Sequence, residues 1–401
     1  MEMEAGAAAP PRTVVVGGGI HSVSLAYFLA KQGADVTVVE RSRIAAAASG
    51  KAGGFLAREW GDSKTEQLHH RGFDMHAELA EELGFETYRR LTTLQVAPGF
   101  RPGKRRPNPA SWLDGNAGAS VMDTGTAQVT PAEYCEKVWA AAEAAGAKLV
   151  VGRAAGVERD EASGAVTGVR VEGEEALVTG DAYVLAAGPW TGPLAEEWFG
   201  MRLPMTGIKS TSVILGDVDA MRKEPFAAFC GRDAWGCHLE LYPRPDGSLY
   251  ICGCGGSDEV DNDRMREGGD CYDPDSIAAD PARVAAARQS LADMSSIGRL
   301  DVPAVEQACM RPSTPDGLPV MGRVPGAPNA FVTAGHNCWG ILWAPISGKA
   351  MSELILTGES SLNLSRFEPG RFGTLAVGEK RPREEMTSPS GSSAENPKRR
   401  E

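Results

Sequence analysis

The sequence predicts an α/β fold in which a parallel sheet flanked by helices is joined to a second, more antiparallel β domain. Three observations predict it. A buried strand, a glycine-rich turn, a helix and a second strand follow one another between Thr13 and Val39, the order of a βαβ unit. Alternating patterns at Thr211–Leu215, His238–Tyr242 and Ser248–Cys252, with a helix near Pro281–Met294, give residues 200–305 a different character. A strand at Ala330–Val332 and a final helix through Ser347–Leu356 then return to the first pattern.

Taken in order, residues 1–11 are a polar, Ala/Pro-rich leader expected to be disordered. The strand Thr13–Val16, the helix Ile20–Gln32 and the strand Val36–Val39 follow, and then a small-residue loop over 41–60. A helix is expected around Thr65–Leu83, and the Pro/Arg/Gly-rich stretch 98–110 reads as an exposed loop. Pro131 suits the first position of a helix over Pro131–Ala145. Strand Lys148–Val151, a hairpin around Ser163-Gly164 and strand Ala182–Leu185 complete the first half. Segments 12–60, 126–200 and 306–360 are assigned to the first domain, and 61–125 and 201–305 to the second. Residues 375–401 hold almost nothing apolar and read as a disordered tail. Its clusters Lys380-Arg381-Pro382-Arg383 and Pro397-Lys398-Arg399-Arg400 have the composition of nuclear-import signals, although a solvated tail is the favoured reading.

With 401 residues, 42% of them hydrophobic, the chain can bury a large core. A net charge of −12 argues against a nucleic-acid binder. The eight cysteines are scattered, which suits a reducing compartment. Cys252 and Cys254 lack the His or Cys company of a metal site, so no metal is expected. No apolar run approaches the ~20 residues of a membrane span, and the opening residues do not form a signal peptide. A cytoplasmic protein without membrane or nucleic-acid partners is expected.

The strongest local motif is Val16-Gly17-Gly18-Gly19-Ile20-His21-Ser22, placed between strand and helix as a Rossmann fingerprint requires. Gly17 permits the tight turn, and Gly19 lets the backbone approach a pyrophosphate at the helix N-terminus. Ser22 replaces the third glycine, whose role is helix–strand packing. Glu40 ends the second strand, where an acid accepts hydrogen bonds from a ribose diol and disfavours a 2′-phosphate; Arg41 beside it weakens that exclusion. The fingerprint alone leaves FAD and NAD open.

Three further segments narrow the choice: Ser49-Gly50-Lys51-Ala52-Gly53-Gly54-Phe55, then Leu185-Ala186-Ala187-Gly188-Pro189-Trp190, and finally Arg311-Pro312-Ser313-Thr314-Pro315-Asp316 with Gly335-His336-Asn337-Cys338-Trp339-Gly340-Ile341. In this order over roughly 12–360, the chain resembles the D-amino acid oxidase (DAO) superfamily of FAD-dependent oxidoreductases, and most closely a eukaryotic branch of it. The resemblance implies a Rossmann-type FAD-binding domain with an antiparallel β substrate (cap) domain. It also implies oxidation of a small amine or amino acid by hydride transfer to flavin N5, with dioxygen or another acceptor completing the cycle. A flavin dehydrogenase using a non-oxygen acceptor and a non-catalytic flavoprotein are the alternatives.

Residue by residue, the resemblance puts Gly17, Gly19, Ile20, His21, Ser22, Glu40 and Arg41 at the cofactor, together with Ser49, Gly50, Lys51, Gly53, Gly54 and Phe55. Ala187, Gly188 and Trp190 lie at a strand's C-terminal end, where α/β sheets place ligands. Gly335, His336, Gly340 and Ile341 belong to the turn that faces the pyrimidine end of the flavin in the family, with His336 a donor there or a structural histidine. Cys309 has a Cys-Met context that carries a covalent flavin link in the sarcosine oxidase branch; a small buried cysteine is the favoured reading, so FAD is expected to be dissociable. For the substrate, Arg311 is the first candidate because a guanidinium fork matches a carboxylate. Tyr242, Arg244 and Lys209 come next.

Overall fold

A computed structural model describes residues 9–100 and 107–373. The expected tail with its basic clusters, nearly all of the leader and the middle of the 98–110 loop lie outside the described residues.

Apolar strands, fully buried at the centre, build the first sheet. Its spatial order is Val320–Arg323, Ala330–Ala334, Ala182–Leu185, Thr13–Val16, Val36–Glu40 and Lys148–Val151. Every pairing is parallel except that of the edge strand Val320–Arg323. Both faces of such a sheet are covered, which explains why Thr13–Val16 reads as a continuous apolar run.

The helix Ile20–Lys31 packs on this sheet and against the last helix, Gly340–Thr357. Their backbones nearly touch, for a Cβ on Gly348 would lie 2.6 Å from the Ser24 Cβ. The last helix begins seven residues before the Ser347 expected from the sequence and runs straight through Pro345. A proline inside a helix removes the N–H owed to the carbonyl four residues back, here that of Ile341. The helix survives because His76, from the helix Glu66–Leu83, donates its Nε2–H to the Ile341 carbonyl at 2.8 Å.

The second sheet holds nine strands, running from Asp258–Val260 through Thr206–Leu215, Leu249–Cys252, Glu240–Pro243, Phe226–Cys230, Arg89–Pro98 and Ala117–Gln128 to Phe55–Ala57. Ala304–Ser313 also pairs with Thr206–Leu215. Phe55–Ala57 and the first part of the 306–360 segment thus run in this sheet rather than the first. The sheet is antiparallel apart from the parallel contact between Phe226–Cys230 and Arg89–Pro98. The pair Arg89–Pro98 and Ala117–Gln128 has no counterpart in the sequence reading. Ala117–Gln128 is rich in Ala and Gly, with few bulky apolar residues, and is a strand because of its neighbour rather than its propensity.

Alternation along the strands decides which face does what. Leu239, Leu241 and Ile251 join a core closed by Val284, Ala287 and Leu291 of the helix Pro281–Met294. That helix starts where Asp280 accepts from the Ala282 and Arg283 N–H groups. The residues between, Tyr242 and Tyr250, belong to the opposite face with Leu91 and Ala227. That face lines the cavity described next.

Candidate active site

The two sheets share a cavity of about 680 Å³, within the ordinary range for small-molecule and cofactor sites. One wall is the glycine turn. Gly17 adopts φ +107°, and a Cβ there would lie 2.5 Å from the Ala186 carbonyl oxygen, so only glycine fits. Glu40 holds the turn from the side: its Oε2 accepts the Gly18 N–H at 2.6 Å and its Oε1 the Ser42 N–H at 3.0 Å. The helix Ile20–Lys31 has Gly19 at its N-cap, and Ser49 Oγ accepts the Ile20 N–H at 2.9 Å. The Ser49 hydroxyl proton stays available to a phosphate oxygen.

The residues expected at the cofactor are mostly brought together. Gly17, Gly19, Ile20, His21, Glu40 and Arg41 line the cavity. So do Ser49, Gly53, Gly54 and Phe55, as well as Ala187, Gly188 and Trp190. Cys309, His336, Gly340 and Ile341 line it too. Four residues do not, each for a visible reason. Ser22 is buried, with Oγ 3.5 Å from the Ala186 carbonyl, in the packing position that the third fingerprint glycine would fill. A Cβ on Gly50 would collide with the Ala45 carbonyl oxygen at 2.2 Å, and Gly335 packs behind the site against Thr314. Lys51 Nζ reaches the Ala308 carbonyl at 3.3 Å, and the Lys51 carbonyl accepts from Tyr250 and Gln307, so this residue ties the loop to the second sheet.

Two histidines form an unusual part of the wall. His21 and His336 stack with centroids 3.5 Å apart and planes 18° apart. Each leaves Nδ1 buried without a partner, while His336 Nε2 bonds Ser347 Oγ at 3.1 Å. Burial lowers the His21 pKa to about 3 and holds that of His336 well below the imidazole range. Both rings are therefore neutral at physiological pH. His21 also sits in the first turn of the helix Ile20–Lys31, where the dipole opposes a cation.

On the opposite sheet, Arg311 donates Nη1–H to Ser210 Oγ at 3.1 Å, while its Nε is buried with no partner. Glu240 accepts from the Tyr242 hydroxyl and, at 3.4 Å, from the Cys252 thiol, both on Oε2. Tyr242 is thereby anchored to an acid, and burial raises its pKa well above the phenolic value. Arg244 is not in the lining: it lies over the Tyr250 ring at 5.3 Å. Lys209 is outside this cavity as well, paired with Asp258 at 3.5 Å. Burial pushes the Cys309 thiol up, away from the thiolate form a covalent link needs.

The model of the FAD dependent oxidoreductase (DAO) family matches residues 12–354. The chain belongs to this family. An oxidoreductase of Schizosaccharomyces pombe is 29% identical over 387 residues, spanning 89% of this chain and 97% of that protein. Among solved structures, glycine oxidase from Geobacillus kaustophilus superposes with a TM-score of 0.71 at 21% identity, covering 90% of this chain and 98% of the other. L-proline dehydrogenase from P. horikoshii gives 0.72 at 19% identity, with coverages of 90% and 98%. Like other members of the DAO family, this oxidoreductase uses FAD.

Its own residues fit that group. The side-chain-free helix start at Gly19, the Ser49 hydroxyl and the acid Glu40 make an anion cradle beside a diol acceptor. Among the described residues no helix is long and apolar enough to cross a membrane.

Several cavity residues escaped the sequence reading. Phe229 lies on a strand that was not foreseen, and Trp60 at the end of the small-residue loop, beyond its Ser49–Phe55 motif. Glu240 was visible as the partner of Tyr242 in the i, i+2 alternation, yet an acid on a half-buried strand carries no signal of its own.

Proposed function

We propose that this oxidoreductase oxidises a small amino acid or a related amine, its carboxylate held by Arg311. The observation that carries the reading is the buried, unpartnered Nε of Arg311 in the cavity that also contains the glycine turn. A guanidinium left with donors in a buried site calls for a planar anion. Glu240 shares that cavity and keeps Oε1 free of hydrogen bonds among the described residues. Arg311 and Glu240 together complement the zwitterion of an amino acid. FAD bound in this cavity would supply a two-electron oxidant able to accept a hydride from the substrate α-carbon.

The protein's part is to prepare that carbon. Arg311 fixes the carboxylate. Glu240 Oε1 accepts a proton from the ammonium, which frees the nitrogen lone pair to form the C=N bond as the hydride leaves. Water then hydrolyses the iminium to a 2-oxo acid and ammonium. The neutral His21–His336 pair adds no positive charge that would repel the substrate ammonium.

The test is anaerobic mixing of the purified yellow protein with a panel of amino acids and amines. Bleaching near ~450 nm, the flavin band, by at least one amino acid is expected. A panel in which amines without a carboxylate react as well as the matching amino acids overturns the role of Arg311. Admitting air or an artificial acceptor then distinguishes an oxidase from a dehydrogenase.

A further inference from the structure

Beside Arg311 and Glu240 the cavity carries an aromatic wall that the reaction chemistry does not call on. Phe55 stacks on Tyr242 with centroids 5.3 Å apart and planes 9° apart, and meets Phe229 edge-on at 5.1 Å. Trp60 closes the cluster, 5.1 Å from Phe229 and 6.4 Å from Trp339. All of these rings line the cavity, and Phe55, Trp60, Phe229 and Trp339 are only partly buried.

Two of its three polar edges, those of Trp60 and Tyr242, are already committed. The Trp60 indole N–H donates to Asp123 at 2.8 Å and the Tyr242 hydroxyl to Glu240. Around Phe55, Trp60, Phe229 and Tyr242 the wall therefore offers hydrocarbon faces rather than hydrogen bonds.

Register places this surface one step from the anchors for the amino-acid head. Phe229 is directly opposite Glu240 in the antiparallel pair, and Tyr242 follows Glu240 on the same face of its strand. Side chains paired across strands stand roughly 5 Å apart, about the reach from an α-carbon into its own side chain.

We infer that the substrate is an amino acid with a bulky apolar or aromatic side chain, lodged against Phe55, Trp60 and Phe229, and that glycine is a poor substrate. The inference rests on the reading of Arg311 and Glu240 as anchors for the amino-acid head. Its energetic basis is ordinary burial: a phenyl or isobutyl group taken out of water against aromatic faces is worth roughly tenfold to hundredfold in affinity.

The experiment compares two non-oxidisable ligands on the FAD-bound protein, by perturbation of the flavin spectrum and by calorimetry. They are 3-phenylpropionate, which is phenylalanine without its amino group, and acetate, the same for glycine. At least tenfold tighter binding of 3-phenylpropionate is expected. Phe229→Ala should erase most of that margin while leaving acetate unchanged, and the smaller but still bulky apolar Phe229→Leu should keep most of it if the alanine variant does not fold. In parallel, leucine and phenylalanine, as both enantiomers, should reduce the flavin at least tenfold more efficiently than glycine. Equal binding of the two ligands, or no binding of 3-phenylpropionate, overturns the inference and leaves the wall as a shield over the flavin. Glycine reacting as well as phenylalanine overturns it too, while amino-acid oxidation stands. The converse failure is distinct: selective binding of 3-phenylpropionate with no amino acid reducing the flavin keeps the side-chain pocket and removes the proposed reaction.

Discussion

The glycine turn and the aromatic wall share one cavity but are built in opposite ways. The turn is made of backbone: Gly17, Gly18 and Gly19 are consecutive, and Glu40 reaches them from the end of the next strand. Its function depends on what is missing, side chains at Gly17 and Gly19, and only one local sequence pattern supplies that. The wall is made of side chains drawn from four separate stretches, at Phe55 and Trp60, Phe229, Tyr242, and Trp339. No local pattern announces such a set, because aromatic residues at these places would serve an ordinary core equally well. On the reading proposed above, what holds FAD is set by local geometry, while what selects the substrate is assembled by tertiary packing and is free to vary with the second sheet.

If that division holds, changes on the second sheet should alter turnover with FAD retained, and changes at the turn should alter FAD affinity first. The largest effect belongs to Arg311. Arg311→Ala removes a charge-assisted contact and should lower kcat/KM for an amino acid by roughly 10²- to 10³-fold, the scale for truncating one member of a buried charged pair. Arg311→Lys should recover only a small part, since an ammonium lacks the fork. Steady-state kinetics with FAD content measured alongside checks this. Loss of FAD from Arg311→Ala would move Arg311 to the cofactor half of the cavity and break the division.

Next in size is an acid sensitivity built into the junction of two helices. Burial lowers the His76 pKa from 6.5 to about 4, and its Nε2–H satisfies the carbonyl that Pro345 leaves unpaired. The folded state resists protonation more than the unfolded state does. The stability it confers is therefore complete above pH 6.5 and is lost as the pH falls from 6.5 toward 4. Integrated over that window the loss is roughly 3 kcal/mol. Thermal unfolding of His76→Gln, which keeps a donor but cannot titrate, should show a flatter acid limb than the parent. An identical slope would mean that the imidazole gains solvent before the helices part.

A smaller effect is expected at Glu40. Glu40→Ala leaves the Gly18 and Ser42 N–H groups without their acceptor and removes the acid beside the ribose position, at a cost of roughly 2 kcal/mol, or about thirtyfold in FAD affinity. Fluorescence titration of the apoprotein with FAD reads it directly. Once saturated with FAD, the variant should turn over normally; a persistent loss of kcat would show that the turn also shapes the chemistry.

These sites also mark how far the sequence could be read. Thr13–Val16, Val36–Glu40 and Ala182–Leu185 declare themselves as short apolar runs bounded by turns, and the fingerprint sits where strand and helix require it. Arg311 was accessible as a charged residue in a motif shared with the family. Phe229, Trp60 and the long pair Arg89–Pro98 and Ala117–Gln128 were not, because pairing partners far away in the chain make them what they are. Lys51 shows how a contact outside its own loop can bear on a residue read from a local motif. A lysine in a glycine-rich loop suggests phosphate, but its amine is drawn instead to the Ala308 carbonyl.

The most delicate test concerns the one departure from the fingerprint. If the third glycine position serves packing alone, a serine there should matter to the helix and not to FAD. Ser22 is completely buried, and its Oγ is 3.5 Å from the Ala186 carbonyl, too long for a strong hydrogen bond. Ser22→Gly should therefore cost stability, by about 0.5–1 kcal/mol from helix propensity and the small void. FAD affinity should change less than about threefold, a few tenths of a kcal/mol. A drop in Tm with an unaltered FAD titration keeps Ser22 with the core of the first sheet. A tighter FAD complex in the glycine variant would show that the Ser22 side chain holds the helix start away from the cofactor, and that the turn, too, is shaped by packing behind it.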